Sequence, residues 1–150
     1  RLLFGTNDLR FFAIDARTGK QCAGFGDGGV VQLPPSKPEL YRGELQHQFP
    51  PAVINDVVVI GSAIGDNQRS DSPSGRVQAF SVRDGSRLWE FDAIPRSEDD
   101  PAYDSWGENG PGSAGSGNVW AHMAVDEERD MIFLPVSSPM SLKVSFCPRA

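Results

Sequence analysis

The sequence predicts an all-β protein assembled from repeated antiparallel meanders of up to four short strands. Three observations carry that prediction. A strand–turn–strand pattern recurs along the chain. Glycine (16) and proline (12) are abundant among the 150 residues, as expected where many short strands need tight turns. Helix signals are weak: no stretch of about 11 residues combines apolar spacing at i, i+3, i+4 and i+7 with a capping residue.

The first copy opens with Leu2-Leu3-Phe4-Gly5-Thr6, an apolar run closed by Gly-Thr. Such a run reads as a strand and its turn. After Asn7-Asp8, residues 9–14 read as a second strand, with Phe12 and Ile14 alternating to bury one face. Asp15-Ala16-Arg17-Thr18-Gly19-Lys20 is then a hairpin turn in which Gly19 supplies positive φ. The second copy repeats this order as Val57-Val58-Val59-Ile60-Gly61-Ser62, then residues 76–80 with Val77 and Ala79 on one face. A turn over residues 81–86 with Gly85 follows, and Arg87-Leu88-Trp89-Glu90-Phe91 forms another strand. Trp89, mid-strand after a turn, is expected in the core. A third copy begins at Met131-Ile132-Phe133-Leu134-Pro135.

A sheet of this kind cannot bury both faces alone, but copies stack around an axis as the blades of a β-propeller. Gly5 and Gly61 stand further apart than the ~40–50 residues of a common blade, as do Gly19 and Gly85. Loops are therefore inserted between strands, at residues 34–48, 66–74 and 95–117. Loops on a propeller rim are where function concentrates. The chain amounts to roughly two blades and parts of a third.

Composition narrows the function classes. Hydrophobic residues make up 39% and charged residues 23%, a globular balance. The net charge of −6 and pI near 4.8 exclude nucleic acid or an anionic membrane as partner, since either needs a clustered basic face. Apolar runs such as Val57–Ile60 are strand-sized, far below the ~18 residues of a membrane-spanning helix. The chain opens inside a strand pattern at Arg1-Leu2-Leu3-Phe4, without Met or leader pattern, so a piece of a longer protein is expected. Cys22 and Cys147 belong to no CxxC or Cys/His cluster and read as two unrelated thiols, with a disulfide between them the alternative in an exported chain.

Few residues carry chemistry on their own. Asp66-Asn67, just past the Val57–Ile60 strand, offer a carboxylate and an amide oxygen suited to a hard cation; an ordinary Asx turn is the competing reading. Trp120, after the Gly-rich loop, presents either a flat face for a planar cofactor or a blade-packing ring. His47 and His122 lack partners at metal-ligand or triad spacing and read as loop or surface residues. Residues 24–29 imitate a phosphate loop but lack the following helix with Lys-Ser/Thr. Glu98-Asp99-Asp100 reads as a solvated loop.

An ordered set of motifs points further. It comprises Ala13-Ile14-Asp15-Ala16-Arg17-Thr18-Gly19-Lys20 with Cys22 and Phe25-Gly26, then Val59-Ile60-Gly61-Ser62 with Asp66-Asn67. Pro73-Ser74-Gly75-Arg76-Val77, Leu88-Trp89, Ile94-Pro95-Arg96, Asn118-Val119-Trp120 and Leu134-Pro135-Val136-Ser137-Ser138-Pro139 follow. In order and spacing the set resembles the quinoprotein dehydrogenases that use pyrroloquinoline quinone (PQQ), the sugar, polyol and alcohol enzymes of bacterial periplasms.

The resemblance implies an eight-bladed propeller holding PQQ and a Ca²⁺ or Mg²⁺ ion near its axis. It also implies hydride transfer from a sugar, polyol or alcohol, and a membrane quinone or cytochrome as electron acceptor. Carried over by position, Asp66 is the metal-site carboxylate with Asn67 beside it, and Trp120 lies under the PQQ ring. Asn118 is a hydrogen-bond partner of the cofactor, and Gln48 a polar contact to it. Ser138 falls where some members have a metal-binding Asn. The family's catalytic Asp is expected shortly after the segment ending at Pro139, yet residues 140–150 contain no acidic residue and depart from the family pattern. The expectation is a partial propeller domain over residues 1–139, an atypical tail over 140–150, no catalytic residue within the chain, and no activity in isolation. The alternative is a cofactor-free propeller scaffold, which has no use for both Asp66-Asn67 and the Asn118/Trp120 loop.

Overall fold

A computed structural model describes residues 1–65, 68–107, 111–112 and 114–139. Among them there is no α-helix; the one helical element is a 3₁₀ turn at Tyr103–Trp106. The eleven strands are β1 (Leu2–Gly5), β2 (Arg10–Ile14), β3 (Val30–Gln32), β4 (Leu45–Gln46), β5 (Ala52–Ile54), β6 (Val57–Ile60), β7 (Ala63–Ile64), β8 (Val77–Ser81), β9 (Arg87–Phe91), β10 (Ala124–Asp126) and β11 (Met131–Phe133). They form a sheet β1-β2-β3, a sheet β5-β6-β8-β9, and two-stranded ladders β4-β7 and β10-β11, all antiparallel.

Both expected hairpin turns form, with Gly19 at φ 70° and Gly85 at φ 75°. At the first, the Asp15 carboxylate accepts the N–H groups of Arg17 and Thr18, both at 2.9 Å. At the second, the Ser81 hydroxyl takes the equivalent place, accepting from Arg83 and Asp84. A short side-chain acceptor at the turn's first residue satisfies N–H groups that no ladder reaches.

The two inner strands of the middle sheet, β6 and β8, are buried on both faces, which explains the continuous apolar run of β6. Val58, Ile60 and Phe80 face the first sheet and pack with Phe11, Ala13, Phe25 and Leu33. Phe11 meets Phe25 edge-on, with centroids 5.6 Å apart and planes at 72°. On the other side Val59, Val77 and Ala79 pack with Val119, Met123, Ile132 and Leu134. Side chains alternate across a strand, so one run such as Val57–Ile60 glues two neighbouring sheets to the one between them. The Asn55 amide bonds Asp130 at 3.0 Å, joining the tips of the β5-β6 and β10-β11 hairpins. This is the stacking of consecutive propeller blades.

Three expectations fail here. In β2 the buried face carries Phe11 and Ala13, while Phe12 and Ile14 are half-buried on the other face. Trp89 is 39% exposed rather than core. β9 is the outermost strand of its sheet, and the β10-β11 hairpin packs on β5, at the sheet's opposite edge. His47 is 2% exposed rather than a surface residue. The chain leads from β4 to β5 directly beneath Gly5, whose missing Cβ leaves room for the His47 carbonyl and Cβ. His122 is exposed, as read. Cys22 is half-buried against the first cluster; Cys147 lies outside the described residues.

Candidate functional site at the strand ends of the middle blade

β6 runs out at Gly61-Ser62, and the segments on either side converge there. On one side His47 Nδ1 donates to the Gly61 carbonyl at 2.8 Å. That bond fixes the tautomer, because a carbonyl only accepts. Burial holds the imidazole below its ordinary range and the nearby Arg76 charge adds to this, while the Gly61 bond opposes them. The ring is therefore neutral, with Nε2 an acceptor that is buried without a protein partner, as is Ser62 Oγ.

On the other side Asn118, 6% exposed, donates from Nδ2 to the Ser62 carbonyl at 2.9 Å. Its Oδ1 accepts from Ser137 Oγ at 2.8 Å, and its N–H donates to the same hydroxyl at 3.1 Å. Asn118 thus ties the middle blade to the segment after β11. Val119 sits over Gly61, where a Cβ would strike its carbonyl.

These two sides are the same structure repeated. Gly5 lies against His47 as Gly61 lies against Val119. Gln46 pairs with Ala63 as Asn118 bonds to Ser137. One step further along each segment stand Gln48 and Trp120, at equivalent positions of consecutive blades and both exposed. Trp120 is 53% exposed, and its ring meets that of Phe49, with centroids 6.2 Å apart and planes at 71°. Gln48, Asn118 and Trp120 are therefore brought to one rim. Ser138 is exposed, and Asp66 and Asn67 lie outside the described residues. Among the described residues no three His, Cys, Asp or Glu side chains gather as a metal site.

The sequence reading missed a further anchor. Glu44 is fully buried. Its carboxylate accepts from Leu40 N–H at 2.6 Å and from Arg69 Nε and Nη2 at 2.6 and 2.9 Å. Its carbonyl accepts the Gly65 N–H at 2.8 Å. Burial alone would raise the Glu44 carboxyl; the Arg69 guanidinium and the Leu40 N–H outweigh it and hold the group below its ordinary range. No local pattern marks such a pair, because its partners lie 25 residues apart. The buried state of His47 did have a signal, since its equivalent one blade on is apolar Val119.

Residues 1–142 match the protein family described as PQQ, glucose/ethanol/alcohol dehydrogenase, β-propeller domain. The chain is 35% identical over 142 residues to the glycerol dehydrogenase large subunit of Gluconobacter oxydans, covering 94% of this chain and 18% of that protein. It is 32% identical over 136 residues to the quinoprotein glucose dehydrogenase of Escherichia coli, covering 91% of this chain and 17% of the relative. The chain thus spans less than a fifth of the length of these relatives. Its fold is shared with the quinohemoprotein alcohol dehydrogenase of Comamonas testosteroni, with a TM-score of 0.62 and 20% identity over 88% of this chain and 19% of that one.

Proposed function

This chain belongs to the β-propeller domain family of the PQQ-linked glucose, ethanol and alcohol dehydrogenases, and on that premise we propose that it contributes part of a PQQ and metal site to a dehydrogenase acting on a sugar, polyol or alcohol. The observation that carries this reading is the convergence of Gln48, Asn118 and Trp120 on one rim, with the indole of Trp120 open.

The residues present suit the cofactor. A half-exposed indole offers a π-face to a planar ring. The Asn118 amide has four hydrogen-bonding positions and spends two of its side-chain ones on Ser62 and Ser137. A donor and an acceptor position therefore remain for a polar ring substituent. Gln48, exposed at the equivalent place of the neighbouring blade, supplies a second amide. Asp66 and Asn67, adjacent in the sequence, carry hard-oxygen donors, the chemistry that Ca²⁺ or Mg²⁺ selects. Ser138, a weaker oxygen donor than an Asn amide, is given no metal contact.

When bound, PQQ supplies the acceptor for the hydride leaving the substrate carbon, with the cation as Lewis acid. The chain's own part is to bind and orient. Trp120 would hold the ring by stacking, and the Asn118 and Gln48 amides would hydrogen-bond its polar substituents. The base that takes the hydroxyl proton is not among these residues, so the isolated chain binds without turning over. In the whole dehydrogenase the electrons go on to a membrane quinone or cytochrome at the periplasmic face of the membrane.

Titration calorimetry with PQQ, with and without CaCl₂, tests this on the chain and on Asp66→Ala and Trp120→Ala variants. Metal-dependent PQQ binding that either substitution abolishes is the expected result. A chain that takes up no PQQ under any metal condition would overturn the cofactor assignment and favour a cofactor-free scaffold.

A further inference from the structure

The ring contact of Trp120 comes from the neighbouring blade. Phe49 reaches it in an edge-to-face arrangement, with centroids 6.2 Å apart and planes at 71°. Phe49 is well placed to act as a rigid stop. It precedes Pro50-Pro51, and a residue before proline is confined to extended backbone, as Pro50 in turn is by Pro51. It also follows His47, whose imidazole is bonded to Gly61. The ring of Phe49 is half-buried, whereas Trp120 remains 53% exposed. The contact restrains the indole without covering it.

We propose that Phe49 is a positioning residue for the cofactor site: its ring edge-to-face with Trp120 sets the indole plane on which a planar quinone stacks. This rests on the assignment of Trp120 as the stacking platform made above. The physical requirement is a ring, because the edge-to-face preference comes from the aromatic quadrupole, which an aliphatic side chain of similar bulk lacks. A free indole would have to lose its wobble on stacking, and a pre-set one binds more tightly for that reason.

The test uses the full chain with Trp89→Phe and Trp106→Phe, which leaves Trp120 as the one indole of the three in the sequence. Time-resolved fluorescence anisotropy reads the indole's freedom, and calorimetry with PQQ and CaCl₂ reads affinity. Phe49→Leu is expected to increase the amplitude of fast indole motion and to weaken PQQ binding about three- to tenfold. Phe49→Tyr is expected to restore both. Phe49→Met, apolar and ringless, repeats the comparison should the Leu variant fail to fold. Unchanged anisotropy and affinity in the ringless variants, or a Tyr variant as weak as they are, overturns the proposal. If Trp120→Ala loses PQQ while Phe49→Leu binds normally, the stacking assignment stands and the positioning role alone falls. If the parent binds no PQQ, or Trp120→Ala binds as well as the parent, both fall together.

Discussion

Arg69 grips the fully buried carboxylate of Glu44 with two nitrogens, Nε at 2.6 Å and Nη2 at 2.9 Å. The same guanidinium donates to the Pro38 carbonyl at 3.1 Å, while the Glu44 carbonyl takes the Gly65 N–H at 2.8 Å. One acidic residue thereby holds the inserted loop before β4 against the chain on both sides of residues 66–67. Arg69→Met should cost about 3 kcal/mol of stability, because it strands a buried carboxylate with one backbone donor. Glu44→Gln should cost less, since the amide oxygen still accepts. Urea unfolding of the two variants against the parent checks the order.

Gly61→Ala should be costly where Gly24→Ala is silent. A Cβ on Gly61 meets the backbone carbonyl of Val119, which cannot swing aside as a flexible side chain would, whereas a Cβ on Gly24 meets nothing within 4 Å. Overpacking of this kind costs on the order of 2 kcal/mol. A lowered urea midpoint for Gly61→Ala, with Gly24→Ala unchanged, is the expected outcome.

Phe80 and Trp89 lie on paired strands, β8 and β9, and differ sharply in burial. Phe80 is 2% exposed between two sheets, and Trp89 is 39% exposed on an outer strand. Phe80→Ala should cost about 3–5 kcal/mol, and Trp89→Ala about 1 kcal/mol. Equal losses in urea unfolding would contradict the observed packing.

The strand holding Trp89 was itself legible, as were β1, β2, β6, β8 and β11. Each is an apolar or β-branched run ended by a turn signal, and that is a local property. What is not local is which strand receives a covering neighbour, so Trp89 looked like core. β4 and β7, two residues each, are too short to show any period. The site divides in the same way. Gln48, Asn118 and Trp120 are proposed through an ordered resemblance, and the structure sets Gln48 and Trp120 at equivalent places of consecutive blades. The buried state of His47 depended on a glycine 42 positions earlier making room for its backbone, and the Glu44–Arg69 pair on a fold that closes a 25-residue gap.

Two buried groups give stability a pH dependence in separate windows. His47 has a folded value below its ordinary 6.5, so the unfolded chain takes up its proton first as the solution is acidified. Its contribution is complete above pH 6.5 and is lost as pH falls from there toward the lowered folded value. Glu44 lies below its ordinary 4.5. Its contribution is complete above pH 4.5 and is lost only as pH falls beneath that, when the unfolded carboxylate protonates ahead of the folded one. Unfolding free energy measured from pH 8 to pH 3 should therefore decline in two stages. His47→Asn, which keeps a donor for the Gly61 carbonyl but does not titrate, should flatten the upper stage and leave the lower one. Glu44→Gln should reduce the lower stage, to which the lowered carboxyls of Asp8, Asp15 and Asp84 also contribute, and leave the upper one. A parent chain equally stable at pH 7 and pH 5 would show that burial does not hold the His47 imidazole below its ordinary range.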